Sequence, residues 1–409
     1  MIGKYNPFKP NHPVFSGLFA GRYKEIKRID EVLYQTYYEN PTNLLILGER
    51  GIGKTSLLLV AKCFAEGKIH FGKKEYNFLT IKFNLNNDMK LRDFILIIKR
   101  LLKNELQKLS KSKKVFDDCW DFIKKLEISG SKIQSETEID DQLLIENFTL
   151  SLIETIKNLT CNKDNQKDGI VILIDESDTA SMDLKIGVFL KSLTESLAAE
   201  KCNKILFILA GLPNTIDILR KSHESSLRLF EELNLKALIL EDIKFVVEAA
   251  IKEINEKDSN LKVEATDSAI ESFFNLSEGY PHFLQQLGYS TIAMSNNSTI
   301  TDKIVESAMF SPGGALELIG NRYYADLFYD KINVDSYRQI LTIMAEKWNQ
   351  WISKEEIRLN FTGSGSNLNN GIKALKDRHI ILTRRGVRGQ YRLQWLSFAF
   401  WIKIHKRRN

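Results

Sequence analysis

One stretch, "LLILGERGIGKTSLLL" from Leu44 to Leu59, constrains the chain more than any other. Four apolar residues lead into a bend with three glycines, then a lysine and a threonine open a second apolar run. The flanks read as a buried parallel strand, "NLLILG", and a following helix, "TSLLLVAKCFA". Between them Gly48-Glu49-Arg50-Gly51-Ile52-Gly53-Lys54-Thr55 has the spacing GxxxxGK[ST]. Glycines let the backbone curl so that successive N–H groups converge on an anion. Lys54 is then placed for the β- and γ-phosphates of a nucleotide and the Thr55 hydroxyl for Mg²⁺, with Ser56 beside them. The helix adds its positive end beneath the phosphates.

Such a grip needs a second half, a buried strand ending in acid. "GIVILIDESD", Gly169 to Asp178, supplies it. Asp175 at the strand's end would hold the Mg²⁺ shell, and Glu176 would polarise a water against the γ-phosphate. The pair favours hydrolysis of the nucleotide over its storage. A GTPase would carry NKxD after this strand. The nearest match, Asn162-Lys163-Asp164-Asn165, precedes the strand and lacks the final aspartate, so ATP is the expected nucleotide.

At 409 residues the chain exceeds one core and implies two or three domains. No run of about 18 apolar residues suggests a membrane span. The opening "MIGKYNPFKPNHPVF" lacks the apolar centre of a signal peptide. Cys63, Cys119, Cys161 and Cys202 form no CxxC pair, which fits a reduced, cytoplasmic protein without a cysteine metal site. The net charge of +6 is unevenly spread. From Gly371 to Asn409 eleven Lys and Arg face Asp377 alone, so this end is near +10 and the remainder near −4. A polyanion contact is expected there.

Along the chain, "YNFLTIKFNLN" reads as a strand and "MKLRDFILIIKRLLKNELQKL" as a helix. Residues 115–140 suit a small hairpin or a loose insertion. "DDQLLIENFTLSLIETIKNL" and "MDLKIGVFLKSLTESLAAE" are helical, and "KILFILAGLPNT" is a third buried strand. Strands alternating with helices imply a parallel sheet with ligands beyond its C-terminal edge. The strand pattern stops at Leu233, and helices opened by candidate caps such as Thr266 and Thr301 follow. After about Asn321 the layout is helix, helix with a Ser353–Glu356 capping box, helix, then a hairpin with an Arg/Gly tip: a winged helix. The expected domains are residues 1–232 (P-loop core), 233–320 (helical lid) and 321–409 (winged helix). "WLSFAFWIK", Trp395 to Lys403, reads as core of the last.

The phosphate grip, Asp175-Glu176, the upstream "FAGR", the helical lid and the winged end together resemble the AAA+ ATPases of the initiator (origin-recognition) type. They are closer still to the archaeal-ATPase/STAND-like branch. The resemblance spans nearly the whole chain and is sharpest at the two phosphate motifs. It implies an α/β fold, a P-loop parallel sheet of AAA+ type followed by a lid and a C-terminal winged helix. It also implies that Gly21 and Arg22 lie near the adenine, and that Asn214 or Thr215 of "GLPNT" senses the γ-phosphate. Arg228 fits an arginine finger reaching a neighbouring copy's nucleotide, where its planar fork would steady charge on the transferred oxygens. One departure stands out. In "EGYPHFLQQL", His282 occupies the place where initiator-type lids carry an arginine, which tilts the likeness towards the STAND-like branch.

In a winged helix the third helix can enter the major groove while the wing meets phosphates. Lys373, Arg384, Arg385 and Arg388 are the candidates for DNA contact. Two functions follow as expectations. The first is a Mg²⁺-dependent ATPase assembling as a homo-oligomer on DNA, as in initiation, transposition control or mobile-element and phage-defence (antiviral) machinery, with or without a separate effector or recombinase. The second is a nucleotide switch whose winged end binds a protein partner.

Overall fold

The computed structural model describes residues 5–13, 18–72, 74–109, 141–161, 166–257, 262–295, 298–347, 350–378, 380–384 and 387–408. The expectations placed on residues 115–140, on 162–165 and on Arg385 lie outside them. The chain gathers into two compact units, residues 22–236 and residues 1–21 with 237–409. The first holds the sheet. The second joins the expected lid and winged helix and also takes the N-terminal segment, which the sequence pattern places with the sheet.

In the sheet unit, α1 (Tyr23–Tyr37) precedes β1 (Asn43–Leu47), α2 (Lys54–Ala65), β2 (Leu79–Asn84) and α3 (Leu91–Gln107). Then come α4 (Asp141–Cys161), β3 (Ile170–Asp175), α5 (Ile186–Ala199), β4 (Ile205–Gly211), α6 (Thr215–Ser222) and β5 (Phe230–Asn234). The five strands are parallel, in the order β2-β3-β4-β1-β5. Every residue of β1, β3 and β4 is buried, as continuous apolar runs covered on both faces must be. Leu45, Ile172, Ile174, Phe207 and Leu209 share a core with α3, α4 and α5. The alternate residues turn to the other face, against α1 and α2.

The fifth strand differs from the expectation, which names no strand between "KILFILAGLPNT" and the end of the strand pattern at Leu233. Instead Glu224–Leu229 form a short 3₁₀ turn, and "FEELN" pairs along β1 from Asn43↔Phe230 to Leu47↔Asn234. An edge strand is partly solvated, so its glutamates hide the apolar run that marks a central strand. Arg28 of α1 ties it down with Nε donating to Glu231 Oε1 at 2.7 Å.

In the second unit, α7 (Leu240–Lys257), α8 (Asp267–Ser277), α9 (Pro281–Met294), α10 (Asp302–Phe310) and α11 (Ala315–Tyr323) form the helical part. A two-residue parallel pair, β6 (Glu264–Ala265) and β7 (Thr299–Ile300), joins them. Thr266 caps α8 by accepting the Ala269 N–H at 3.1 Å. Thr301 stands at the N-cap of α10 without a side-chain cap bond. A π-helical turn, Asp326–Lys331, leads to α12 (Asp335–Glu346), β8 (Ile352–Ser353), α13 (Lys354–Asn360), α14 (Gly365–Asp377), β9 (Ile381–Thr383), β10 (Gln390–Leu393) and α15 (Leu396–Arg408). The strands pair in the order β8-β10-β9, which with α12 to α14 is a winged-helix arrangement. The expected capping box is present: Ser353 Oγ accepts the Glu356 N–H at 3.1 Å and Glu356 Oε2 accepts the Ser353 N–H at 2.7 Å.

One apolar core runs through lid and winged part, with Phe398 and Trp401 of α15 buried in it. A polar clasp accompanies it. Glu278, after α8, accepts the N–H groups of Leu396 and Ser397 at the start of α15, both at 2.8 Å, and the Ser397 hydroxyl at 3.0 Å. The Tyr324 hydroxyl is hydrogen-bonded to the same Ser397 Oγ at 2.6 Å. The N-terminal segment docks on α9: a Cβ at Gly288 would lie 2.4 Å from the Phe8 ring, and Lys9 N–H donates to Gln285 Oε1 at 2.8 Å. Among the described residues no helix is long and apolar enough to cross a membrane.

Candidate functional site

β1 ends at Leu47, and the loop from Gly48 to Gly53 carries the chain into α2. The strand order reverses beside β1, which lies between β4 and β5, and ligands of open parallel sheets bind at such a point. Two glycines work as the spacing requires. Gly51 and Gly53 have φ of 77° and 102°, a region costly for a side chain. Ile52 is buried and pins the loop from within.

Lys54 folds back into the loop and donates to the carbonyls of Gly48 and Glu49, both at 2.8 Å. Burial pulls its pKa down to about 8, against the pull of Asp178 and then Asp175. The Glu49 carboxyl is raised by its own burial, with Lys54 opposing, and its Oε2 is buried without a hydrogen-bond partner. Arg50 is exposed, and Thr55 and Ser56 are half-buried at the start of α2.

Arg22 packs against the glycine loop itself. Its side chain is only 5% exposed, Nη2 donates to the Ile52 carbonyl at 2.9 Å, and Nη1 lies 3.8 Å from Glu25 Oε1. It braces the glycine loop through the Ile52 carbonyl. Gly21 belongs to the other unit, where it has φ of 69° and a Cβ would strike Asp242 and Leu238.

At the end of β3, Asp175 is 3% exposed. Its Oδ1 accepts the Glu176 N–H at 3.0 Å, and its Oδ2 lies 3.4 Å from Nζ of Lys82 on β2. Glu176 is exposed and left-handed, with φ of 54°, so the chain turns sharply after the aspartate. Two residues on, Asp178 Oδ1 accepts the Leu212 N–H at 3.0 Å and fastens the acidic turn to the loop after β4. Asn214 Oδ1 in that loop and Thr215 Oγ1 at the start of α6 are buried without hydrogen-bond partners. Buried polar atoms without partners are uncommon in folded proteins. The sequence by itself singles out neither Asp178 nor Lys82. Only the pattern "DESD" holds a signal for the first, and a lone lysine in a mostly apolar strand for the second.

Thr55 and Asp175 offer one hydroxyl and one carboxylate, a sparse oxygen set that suits Mg²⁺, which keeps waters and takes phosphate oxygens for the rest. Among the described residues no group of three His, Cys, Asp or Glu is placed to hold a metal by itself.

One further candidate of the sheet unit stands away from this loop, and the remaining candidates belong to the other unit. Arg228 is exposed on the 3₁₀ turn before β5. Because Phe230 pairs with Asn43, it stands at the opposite edge of the sheet from the loop that follows Leu47. Lys373 on α14 and Arg388 are exposed, and so is Arg384, whose Nη1 donates to Gln390 Oε1 at 2.9 Å. His282 packs edge-on against Tyr323 with ring centroids 4.8 Å apart, and burial, with Arg322 next, lowers its pKa to about 4. It is a neutral packing residue at neutral pH.

No family model matches the chain. A curated relative, an uncharacterized HTH-type transcriptional regulator from Methanocaldococcus jannaschii, is 22% identical over 322 residues, 76% of this chain and 73% of the relative. Among solved structures, a Walker-type ATPase of Pyrococcus abyssi superposes with a TM-score of 0.57 at 16% identity, covering 94% of this chain and 96% of that one. The Aeropyrum pernix ORC2 protein, solved in complexes with ADPNP and ADP, superposes at 0.55 with 14% identity and 95% of each chain. The chain therefore shares the fold of initiator-type AAA+ ATPases across nearly its full length.

Proposed function

We propose that this chain binds ATP with Mg²⁺ and hydrolyses it, and that the cycle is coupled to engagement of DNA by the winged helix. The observation that carries the reading is a single cluster. Lys54 is folded into a glycine loop at the sheet's switch point, close enough to Asp178 and the buried Asp175 to feel their charge, and the turn after β4 carries two unpartnered oxygens, Asn214 Oδ1 and Thr215 Oγ1.

In this reading the amides of Gly48 to Gly53 and the Lys54 ammonium, released from its carbonyls, hold the β- and γ-phosphates. Thr55 and Asp175 would hold Mg²⁺, which when bound draws charge from the phosphate oxygens. Glu176, exposed beyond the strand end, orients the attacking water and takes up its proton. Asp178 keeps this turn in register with Asn214 through Leu212. Arg228, at the far edge of its own sheet, acts on the nucleotide of a second copy, which makes the active form a homo-oligomer. The soluble composition supports a place in the cytoplasm.

DNA enters through the relative's printed name as an HTH-type regulator, the winged-helix layout, and exposed Lys373, Arg384 and Arg388. Phosphate contacts of this kind need no base recognition. A separate effector or recombinase, in a mobile-element or defence setting, is compatible with this scheme. One observation favours the alternative, a nucleotide switch acting on a protein partner: His282 is neutral and packed, so the lid lacks a cation at that position.

The test is turnover with and without DNA across protein concentration. DNA stimulation with a steep concentration dependence supports the ATPase-on-DNA reading, whereas indifference to both favours the switch. Glu176→Gln is expected to bind ATP normally and hydrolyse it about a hundredfold more slowly. Unchanged turnover in that variant would move the base elsewhere.

A further inference from the structure

Both oxygens of the Asp175 carboxylate are engaged by the chain itself. Oδ1 accepts the Glu176 N–H, and Oδ2 faces the Lys82 ammonium at 3.4 Å. Lys82 comes from the neighbouring strand. In "LTIKFN" it is the sole charged residue, and β2 pairs Lys82 with Leu173 and Asn84 with Asp175. Paired residues of adjacent strands point to the same face, and residues two apart share it. Lys82, Asn84 and Asp175 therefore lie on one face, and the lysine extends along its strand to within 3.5 Å of Asn84 Oδ1. Its side chain is 18% exposed and Asp175's is 4% exposed, so the pair is only partly screened.

A buried carboxylate needs a counter-charge, and a structural ion pair would supply one. This carboxylate, however, is also the one that would take the metal. Two cations cannot share one carboxylate oxygen without repelling each other.

We propose that Lys82 is the resident counter-cation of Asp175, holding the carboxylate when no metal is bound and giving up Oδ2 when Mg²⁺ arrives with nucleotide. Lys82 thereby sets the metal concentration the site requires, and it keeps Asp175 aligned in the meantime. This rests on the ATPase reading and adds to it a control on metal binding. Lys82 is a positioning residue in this scheme and does not touch substrate.

The experiment measures binding of a fluorescent ATP analogue to the full chain as Mg²⁺ is titrated, for wild type, Lys82→Met and Lys82→Arg. Loss of the ammonium removes the competitor, so Lys82→Met is expected to lower the half-saturating Mg²⁺ concentration about fivefold. Lys82→Arg keeps the charge and should stay near wild type. Melting with Mg²⁺ alone gives a second readout: the metal should raise the melting temperature of Lys82→Met more than that of wild type. A half-saturating Mg²⁺ that is unchanged or raised in Lys82→Met, with the protein folded, overturns the proposal. So does weaker nucleotide binding without metal in Lys82→Met, which would make Lys82 a phosphate ligand. Should Lys82→Met not fold, a Lys82→Gln variant answers the same question. If wild type binds no nucleotide at any Mg²⁺ concentration, the ATPase reading itself fails, which is a separate outcome.

Discussion

The sheet unit and the winged end treat charge in opposite ways. At the phosphate loop Lys54, Asp175, Lys82 and Arg22 are buried or nearly so, each against a named partner a few ångströms away. At the C-terminal end Lys373, Arg384 and Arg388 stand in solvent. Burial fixes geometry and lets one charge act strongly, at the cost of desolvation that partners must offset. Exposure leaves charges mobile and screened within about 10 Å at 0.1 M salt, so they act by number more than by position. The first arrangement suits one small ligand held in one pose, and the second suits a long polyanion met in many registers.

Three measurements bear on that contrast, and the largest effect is expected at the loop. Lys54→Ala should abolish detectable ATP binding, read by titration with a fluorescent analogue, while leaving DNA binding intact. Retained ATP affinity would mean the buried ammonium is only a loop brace. A smaller effect comes from pH. Burial lowers the Lys54 pKa to about 8, below its ordinary value, so the ammonium is largely present at pH 7 and is lost as pH rises through 8. ATP, which needs the charged form, should bind up to about tenfold more weakly per pH unit above that point, with Lys54→Arg showing a flat profile. A wild-type profile flat to pH 10 would contradict the burial argument. The smallest effect per residue belongs to the winged end. Replacing Lys373, Arg384 and Arg388 by Ala should weaken DNA binding without changing ATP affinity. The slope of log affinity against log salt should also fall, by about one for each phosphate no longer neutralised. An unaltered slope would remove these residues from any DNA surface.

The elements legible in the sequence are those whose signal is local. β1, β3 and β4 are continuous apolar runs because both their faces are covered. The glycine loop is legible because its conformation depends on neighbours a few positions away. β5 is not legible, because an edge strand keeps half its side chains wet and "FEELN" has no apolar run to show. β6, β7 and β8 are two residues each, too short to carry a period. Phe8 on Gly288 joins positions 280 residues apart, and nothing in "NPFKPN" hints at a lid helix.

The amino-acid order alone determined the phosphate loop, its acidic partner strand, the alternation that makes a parallel sheet, and the basic C-terminal end. Local spacing controls the first two, and the order and composition of longer stretches control the others. Tertiary structure alone decided that Arg22 braces the loop at Ile52, that Asp178 fastens Leu212, that Lys82 faces Asp175, and that Glu278 clasps the start of α15. Each of those bonds joins segments far apart in sequence. The reason is that a hydrogen bond or ion pair is decided by distances of about 3 Å, and only packing brings remote residues that close.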